Sequence, residues 1–365
     1  MFHIINRIPK DRYEYCFICG EGPGGNFNFQ VLDIPRITIP FNQHYSMAMP
    51  ALAYFKMKRA LDRFRPDVIH VASPSLLGNF ALEYAGARSI PVVTIYHTHF
   101  ISYVDYYLKG MPVIADLARS SVIAGQRKFY NKCSLVLVPT EEIKNELAVL
   151  GFEQERIKIW RRGIDHIMFN PQKKDNTYLN KITGNKNTNI LFASRLVWEK
   201  NLETLIKIYD LFEEKNEEVN FIIAGDGIAK NELARQMPKA IFTGKVDQKK
   251  LSVLYASADI FLFPSVTETY GSVVVEAMSC GCPCVIARGG GSQSFIRQGI
   301  NGFLCEPNDP HDYYKRIMML KSHESLRKLV VREGLDFTRL LNWERLVEEY
   351  FSMIDSCASK VTILQ

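Results

Sequence analysis

Phe263-Pro264-Ser265-Val266-Thr267-Glu268-Thr269-Tyr270-Gly271-Ser272-Val273-Val274-Val275-Glu276-Ala277-Met278-Ser279-Cys280-Gly281 sets two glutamates eight positions apart across a strand-to-helix turn. The run before it, Ala258-Asp259-Ile260-Phe261-Leu262-Phe263, is short and apolar, as in a strand buried on both faces. Beyond it, Val273, Val274, Ala277 and Met278 recur at helical spacing. The pattern predicts Glu268 just past a strand's carboxyl end and Glu276 about two turns into the following helix. Gly271 then lies near that helix's first unpaired N–H groups.

Ligands of open α/β sheets settle outside the carboxyl ends of the strands, and a helix N-terminus offers backbone donors to a diphosphate. A carboxylate in the turn accepts from sugar hydroxyls, and one deeper in the helix reaches another hydroxyl pair, such as a ribose. The residues alone point to a polyhydroxylated, phosphorylated ligand. The competing reading makes Glu268 a solvated turn residue and pairs Glu276 with a neighbouring base.

Working outward, apolar runs alternate with amphipathic segments. Val68–Val71, Pro91–Ile95 and Leu135–Val138 read as strands, with helices expected around 76–87, 113–131 and 141–149. The stretch 171–189 is polar and rich in Lys and Asn, and reads as a linker. The alternation restarts at Ile190, through runs at 221–224, 240–242, 260–263, 284–286 and 303–304. Two Rossmann-like α/β units are predicted, each a parallel sheet covered by helices. A last helix with Trp343, Leu346, Val347, Tyr350, Phe351 and Ile354 on one face follows Asn342 as N-cap.

A length of 365 residues and 47% hydrophobic composition suit two ordinary cores. No apolar segment approaches the roughly 20 residues that span a bilayer, and the first residues lack a signal peptide's apolar region. A cytoplasmic location is expected. Of eight cysteines, Cys16 and Cys19 have no second pair at zinc spacing, and Cys280, Cys282 and Cys284 alternate into a strand, so reduced core thiols are expected. The net charge of +6 is mild and no nucleic-acid reading module accompanies it. Its one local concentration is Lys56, Lys58, Arg59, Arg63 and Arg65, on a helical pattern whose apolar side carries Ala53, Met57, Ala60, Leu61 and Phe64. Such a helix either lies on an anionic membrane surface or is an ordinary surface helix with a solvated basic face.

The glutamate pair resembles the E-x7-E signature of retaining glycosyltransferases of the GT-B fold, the large family 4, and the resemblance extends over residues 67 to about 352. Ala193-Ser194-Arg195-Leu196-Val197-Trp198-Glu199-Lys200-Asn201-Leu202 is similar to the family's G-R-L-x-x-E-K-N/G-L segment, with Ala-Ser where Gly is commoner. Ile159-Trp160-Arg161-Arg162-Gly163-Ile164-Asp165 with Phe169-Asn170-Pro171 resembles the interdomain R-G-V-D…F-N-P signature. Ala224-Gly225-Asp226-Gly227, Thr243-Gly244-Lys245-Val246 and Tyr96-His97-Thr98 resemble the G-D-G, F-x-G-x-V and acceptor-domain H-T segments.

The resemblance implies two facing domains: an acceptor domain at 1–168, a linker at 169–189, a nucleotide-sugar domain at 190–341, and a terminal helix at 342–365 that crosses back to the first domain. It implies a retaining hexosyltransferase moving sugar from a UDP- or GDP-hexose, with His97 and Glu268 catalytic. Donor binding would fall to Arg195, Lys200, Gly225, Val246, Glu268, Tyr270, Gly271, Ser272 and Glu276, with no metal or other cofactor. A metal between His97 and His99 is the weaker reading, because no third ligand sits at metal spacing. His70 reads as a core or sheet-edge residue. Arg195 and Lys200 would neutralise the departing diphosphate, and the sequence leaves open a covalent intermediate or front-face substitution.

Ala72–Gly78, Tyr96–Phe100 and Trp160–Asp165 are most similar to the branch that glycosylates lipids, diacylglycerol and phosphatidylinositol among them. A membrane lipid or glycolipid acceptor is therefore expected, with peripheral attachment to the inner membrane face, no nucleic-acid partner, and a soluble acceptor as the alternative. The start departs from the family: Tyr15–Cys19 reads already as a second strand, Gly22-Pro23-Gly24-Gly25 reads as a surface turn, and the first strand and Gly-rich loop are not recognisable. An alternative function follows, a nucleotide-sugar-binding protein without turnover. A GT-B epimerase fits the motifs less well.

Overall fold

The structure is a computed structural model that describes residues 2–20, 29–39, 42–97 and 112–362. Two parallel sheets dominate it. The first has four strands in the order Ile69–Val71, Val92–Ile95, Leu135–Val138 and Ile157–Ile159. Its central strands are buried at every position, as their unbroken Val/Leu/Ile runs require. The helices Leu76–Gly86, Pro112–Tyr130 and Glu141–Val149 match the expected spans within a residue. Ser75 and Thr140 cap two of them by accepting from Gly78 and Ile143 N–H groups.

The second sheet has six strands in the order Ile241–Gly244, Val219–Ala224, Thr188–Ala193, Ile260–Phe263, Cys284–Ala287 and Phe303–Cys305. Every neighbouring pair is parallel. Chain order reverses between Thr188–Ala193 and Ile260–Phe263, which makes their carboxyl ends the topological switch point where α/β sheets open a crevice. The ladder between these two strands stops after Ile260 pairs Ile190 and Phe261 pairs Leu191. The strand ends part there, while Phe192 and Phe263 stack with centroids 6.1 Å apart to fill the space beneath.

The last helix, Trp343–Thr362, packs on the first sheet. Asn342 caps it, its side-chain oxygen accepting from Glu344 and Arg345 N–H groups at 2.8 and 3.2 Å. Trp160, Trp343, Val347, Tyr350 and Phe351 form one core with Val93, Ile95, Leu135 and Leu137. Trp160 donates to the Leu346 carbonyl at 2.7 Å, and His70 meets the Tyr350 hydroxyl at 2.6 Å, which gives that mid-strand histidine the structural partner expected of it. This is the GT-B arrangement, with the terminal helix crossing back.

Two expectations change. The polar stretch read as a linker contains the 3-10 turn Pro171–Lys173 and the helix Asn176–Thr183. Asp175 caps that helix and Gly184 ends it, and its single buried residue, Leu179, docks on the second core. With Tyr178 and Ile182 partly buried beside it, the apolar pattern covers too short a piece of an Asn- and Lys-rich segment to read as a helix. The other is Glu276, which is the fifth residue of the helix Ser272–Ser279, little more than one turn in. The predicted second strand, Cys16–Cys19, pairs with Gln30–Asp33 in a separate two-stranded parallel sheet. The Gly22–Gly25 turn and His99 lie outside the described residues. Cys133, Cys280, Cys282, Cys284 and Cys305 are buried thiols, and no described helix is long and apolar enough to cross a membrane.

Candidate functional site

The strand Thr188–Ala193 runs into Ser194 and Arg195, then the turn Trp198–Lys200 and the helix Leu202–Glu214. The junction is Asn201, in the left-handed region at φ 57°, which asparagine tolerates better than most residues. Its amide donates to the carbonyls of Pro264 and Pro307 at 3.2 and 2.8 Å, and so ties the turns after the two switch-point strands together. That tie brings Lys200 against the glutamate turn. Its ammonium lies 2.6 Å from Glu268 Oε1 and 3.2 Å from Thr267 Oγ1.

Beneath them Glu199 is buried. Its Oε1 accepts from Arg195 Nη2 at 2.9 Å and lies 4.0 Å from Lys200 Nζ, and its Oε2 has no partner. Arg195 is thus paired with a neighbouring carboxylate, yet it still lines the crevice, its side chain 60% exposed. Two cations converge on one buried carboxylate, which offsets its desolvation and holds both near the crevice.

The glutamate turn rests on Gly289-Gly290-Gly291. Gly291 N–H donates to the Glu268 carbonyl at 2.6 Å, and a Cβ at Gly291 would stand 2.0 Å from the Thr269 carbonyl oxygen. Only a residue without a side chain permits that approach. Gly271, at φ 78°, is the N-cap of Ser272–Ser279. Tyr270 is buried and donates to the Arg162 carbonyl at 2.6 Å.

His97 arrives from the other sheet, two residues past Val92–Ile95. Its Nδ1 is 2.8 Å from Arg162 Nη2. Burial, with the Arg162 charge beside it, pushes its imidazole down to about 3. A crevice of about 320 Å³ is lined by His97, Arg162, Ser194, Arg195, Lys200, Phe263, Thr267, Glu268 and the run 269–273.

Of the residues named from the sequence, His97, Arg195, Lys200, Glu268, Tyr270, Gly271 and Ser272 thus meet in one crevice fed by both sheets. Three stand apart from it. Gly225, past Val219–Ala224, gives its N–H to the Gly244 carbonyl at 2.9 Å and packs so closely that a Cβ would be 1.8 Å from the Ser194 carbonyl oxygen. Val246 is half-buried against the second core. Glu276 sits behind the turn, its carboxyl pushed up to about 7 by burial while the Tyr255 hydroxyl beside it pulls the other way. Arg162, Glu199 and Thr267 were not singled out by the sequence. Each lies inside a quoted motif, and only the fold reveals which way those side chains are used.

Residues 1–166 match the Glycosyltransferase Family 4 model and residues 176–335 the Glycosyl transferases group 1 model. The chain is 32% identical over 290 residues to a sulfoquinovosyl transferase of Arabidopsis thaliana, covering 77% of this chain and 55% of that protein, so it spans about half that relative's length. It is 32% identical over 308 residues to a GDP-mannose-dependent alpha-mannosyltransferase of Mycobacterium tuberculosis, covering 82% of this chain and 77% of the relative. It is 26% identical over 276 residues to an alpha-monoglucosyldiacylglycerol synthase of Streptococcus pneumoniae, covering 72% and 60%. Among solved structures, Anabaena HepE in complex with UDP and glucose superposes with a TM-score of 0.69 at 20% identity, over 90% of this chain and 86% of that one. With both halves matched in order, the GT-B architecture in place and a mycobacterial relative aligned over most of its length, the chain belongs to the group 1 glycosyltransferases, family 4.

Proposed function

We propose that the protein transfers a hexose, with retention of configuration, from a nucleotide-diphosphate sugar to a membrane lipid or glycolipid. The observation that carries this is the meeting of Lys200, Arg195, Glu268 and His97 in one crevice at the switch point. Two cations meet the charge that develops on a departing diphosphate. That is the task a divalent metal performs in other transferases, and no metal is part of the proposal. Glu268 and His97 offer an acceptor and a donor to sugar hydroxyls, and Glu276, deeper in the helix, takes the ribose. Gly225 and Val246 shape the rim on the base side. The acceptor enters from the first domain, residues 1–168, and the donor is held by residues 190–341.

The relatives support the donor and acceptor classes: one is named for GDP-mannose, another for a glucosylated diacylglycerol. Attachment to an anionic membrane face is part of the proposal. It rests on the helix Tyr54–Phe64, where Lys56, Arg59 and Arg63 are exposed near Leu52 and Phe55, which are 70% and 75% exposed. The test is transfer from UDP- and GDP-hexoses to diacylglycerol or phosphatidylinositol vesicles, beside soluble sugar acceptors. The anomer is then read by NMR. A β-linked product, or turnover only with soluble acceptors, overturns the corresponding half of the proposal.

A further inference from the structure

Arg162 is half-buried at the crevice wall and forms no ion pair with a described residue, although a guanidinium in that position ordinarily takes a carboxylate. It is held instead by Tyr270. The Tyr270 hydroxyl donates to the Arg162 carbonyl at 2.6 Å, and the guanidinium carbon lies 5.5 Å from the centre of the Tyr270 ring. So placed by a residue of the second domain, its Nη2 lies 2.8 Å from His97 Nδ1 within the first. A guanidinium has five N–H donors and no acceptor. The imidazole nitrogen facing it must therefore supply a lone pair, and the ring proton must sit on Nε2.

We propose that Arg162 is a positioning residue that fixes His97 as the neutral Nε2–H tautomer, so that the histidine serves the sugar or the leaving phosphate as a permanent hydrogen-bond donor and never as a proton acceptor. The inference rests on the transferase reading for its chemistry but not for its geometry. Protonating Nδ1 would set N–H against N–H and a second cation beside the guanidinium.

The other groups facing His97 do not favour the charged ring. His70, on the neighbouring strand, is itself kept neutral by burial, and its Nδ1 is engaged by the Tyr350 hydroxyl. Across the crevice stand the cations Arg195 and Lys200, and the only carboxylate lining it among the described residues is Glu268, which Lys200 holds. With His97 excluded as a base, the proton leaving the acceptor hydroxyl must go to another group, and the departing phosphate is the one the reaction itself provides.

The experiment is 15N NMR of the histidine-labelled full chain between pH 5 and 8, beside pH profiles of kcat at saturating donor for the wild type, Arg162→Lys and Arg162→Met. The wild type is expected to show a pyridine-like Nδ1 and a pyrrole-like Nε2 for His97 throughout, and a kcat that changes less than twofold between pH 7.5 and 5.5. In Arg162→Met the charge that opposes protonation is gone while the burial remains, so the ring should lose its single tautomer and protonate at a higher pH than in the wild type, with kcat falling more steeply toward pH 5.5. Arg162→Lys, which keeps a donor, should hold the wild-type tautomer. UDP and GDP affinity should be unaltered in both.

A wild-type His97 protonated on Nδ1, or titrating between pH 6 and 7, overturns the proposal. So does an Arg162→Met that loses tenfold in nucleotide affinity while the His97 signals stay put, which would make Arg162 a phosphate ligand. If Arg162→Met does not fold, the wild-type spectrum still decides. Absence of any sugar transfer would remove the transferase reading and leave the tautomer measurement standing.

Discussion

Lys200 Nζ lies 2.6 Å from Glu268 Oε1, although the two residues are contributed by different strands and stand 68 positions apart. In the proposed function, the cation assigned to the diphosphate is thus held by the carboxylate assigned to the sugar. On that proposal a diphosphate entering the crevice would compete with Glu268 for Lys200, so that binding of one end of the donor would free the group that holds the other. Since the Lys200 side chain is only 6% exposed, this exchange takes place with little screening by water.

Lys200→Ala should therefore weaken binding of nucleotide diphosphates by about 1.5–3 kcal/mol, the range for a hydrogen bond to a charged group. Arg195→Ala should cost less, about 1 kcal/mol, because its guanidinium is largely exposed and shared with Glu199. Titration calorimetry with UDP and GDP measures both. Unchanged affinity for both nucleotides in Lys200→Ala would remove the diphosphate assignment.

Glu268→Gln and Glu276→Gln should separate sugar from nucleotide. The first keeps a hydrogen-bonding side chain in the turn and leaves plain nucleotide binding nearly intact, while turnover falls by at least about 10²-fold, as for loss of a single transition-state stabiliser. The second should weaken nucleotide binding as well as turnover. Equal effects of the two on nucleotide affinity would contradict this division.

The crevice was legible in the sequence where chemistry and local pattern coincide. An apolar run, a turn carrying Glu268 and a helix-spaced segment imply a strand-to-helix junction, and the motif at 193–202 implies a second one. What the residues could not show is that these junctions are neighbours: that follows from a strand order which reverses between Ile190 and Ile260, a property of the whole sheet. Arg162 was missed for the same reason. It is one of two adjacent arginines in a motif, and only the docking of Tyr270 beneath it decides which of them faces His97. The helix Asn176–Thr183 was missed because its apolar face is only Tyr178, Leu179 and Ile182 within an Asn- and Lys-rich stretch. Glu276 was set one turn too deep because the spacing fixes a period and not the first residue of a helix.

Under the ribose role proposed for Glu276, its raised carboxyl should give nucleotide binding a pH dependence whose sign follows from the carboxylate's chemistry. Ribose hydroxyls donate to an ionised carboxylate better than to a carboxylic acid, so binding favours the deprotonated form and releases a proton. Affinity should rise as pH increases through about 7, the value to which burial pushes this group, and level off above 8. In Glu276→Gln the dependence should vanish. Calorimetry at pH 6, 7 and 8 in buffers of different ionisation enthalpy tests this directly, and a flat wild-type profile would contradict it.

Gly225 and Gly125 should respond oppositely to alanine. At Gly225, φ is +146° and the added Cβ would be 1.8 Å from the Ser194 carbonyl oxygen, so one of the two neighbouring strand ends must shift. A loss of more than about 2 kcal/mol is expected, in the range for backbone strain with overpacking. Gly125 is within the helix Pro112–Tyr130 with nothing near the new methyl, and alanine there should add about 0.5–1 kcal/mol through helix propensity. Urea unfolding of both variants reports the signs.

Membrane attachment should depend on charge and on two apolar side chains together. Met57 and Leu61 anchor the helix Tyr54–Phe64 to the first domain, which leaves Lys56, Arg59 and Arg63 on its outer side and Leu52 and Phe55 exposed at its start. Each basic residue contributes about 1 kcal/mol near an anionic leaflet, decaying over a Debye length. Burying an exposed Leu or Phe contributes about 1.5–3 kcal/mol, which salt does not screen. Binding to anionic vesicles should therefore be reversible and weakened by salt, and neutral vesicles should retain little protein. Lys56→Glu with Arg63→Glu should abolish the salt dependence along with most of the binding, whereas Leu52→Ser with Phe55→Ser should lower affinity at every salt concentration alike. Co-sedimentation that is indifferent to lipid charge, or full activity on a water-soluble acceptor with no vesicle binding at low salt, would transfer the acceptor from the membrane to solution.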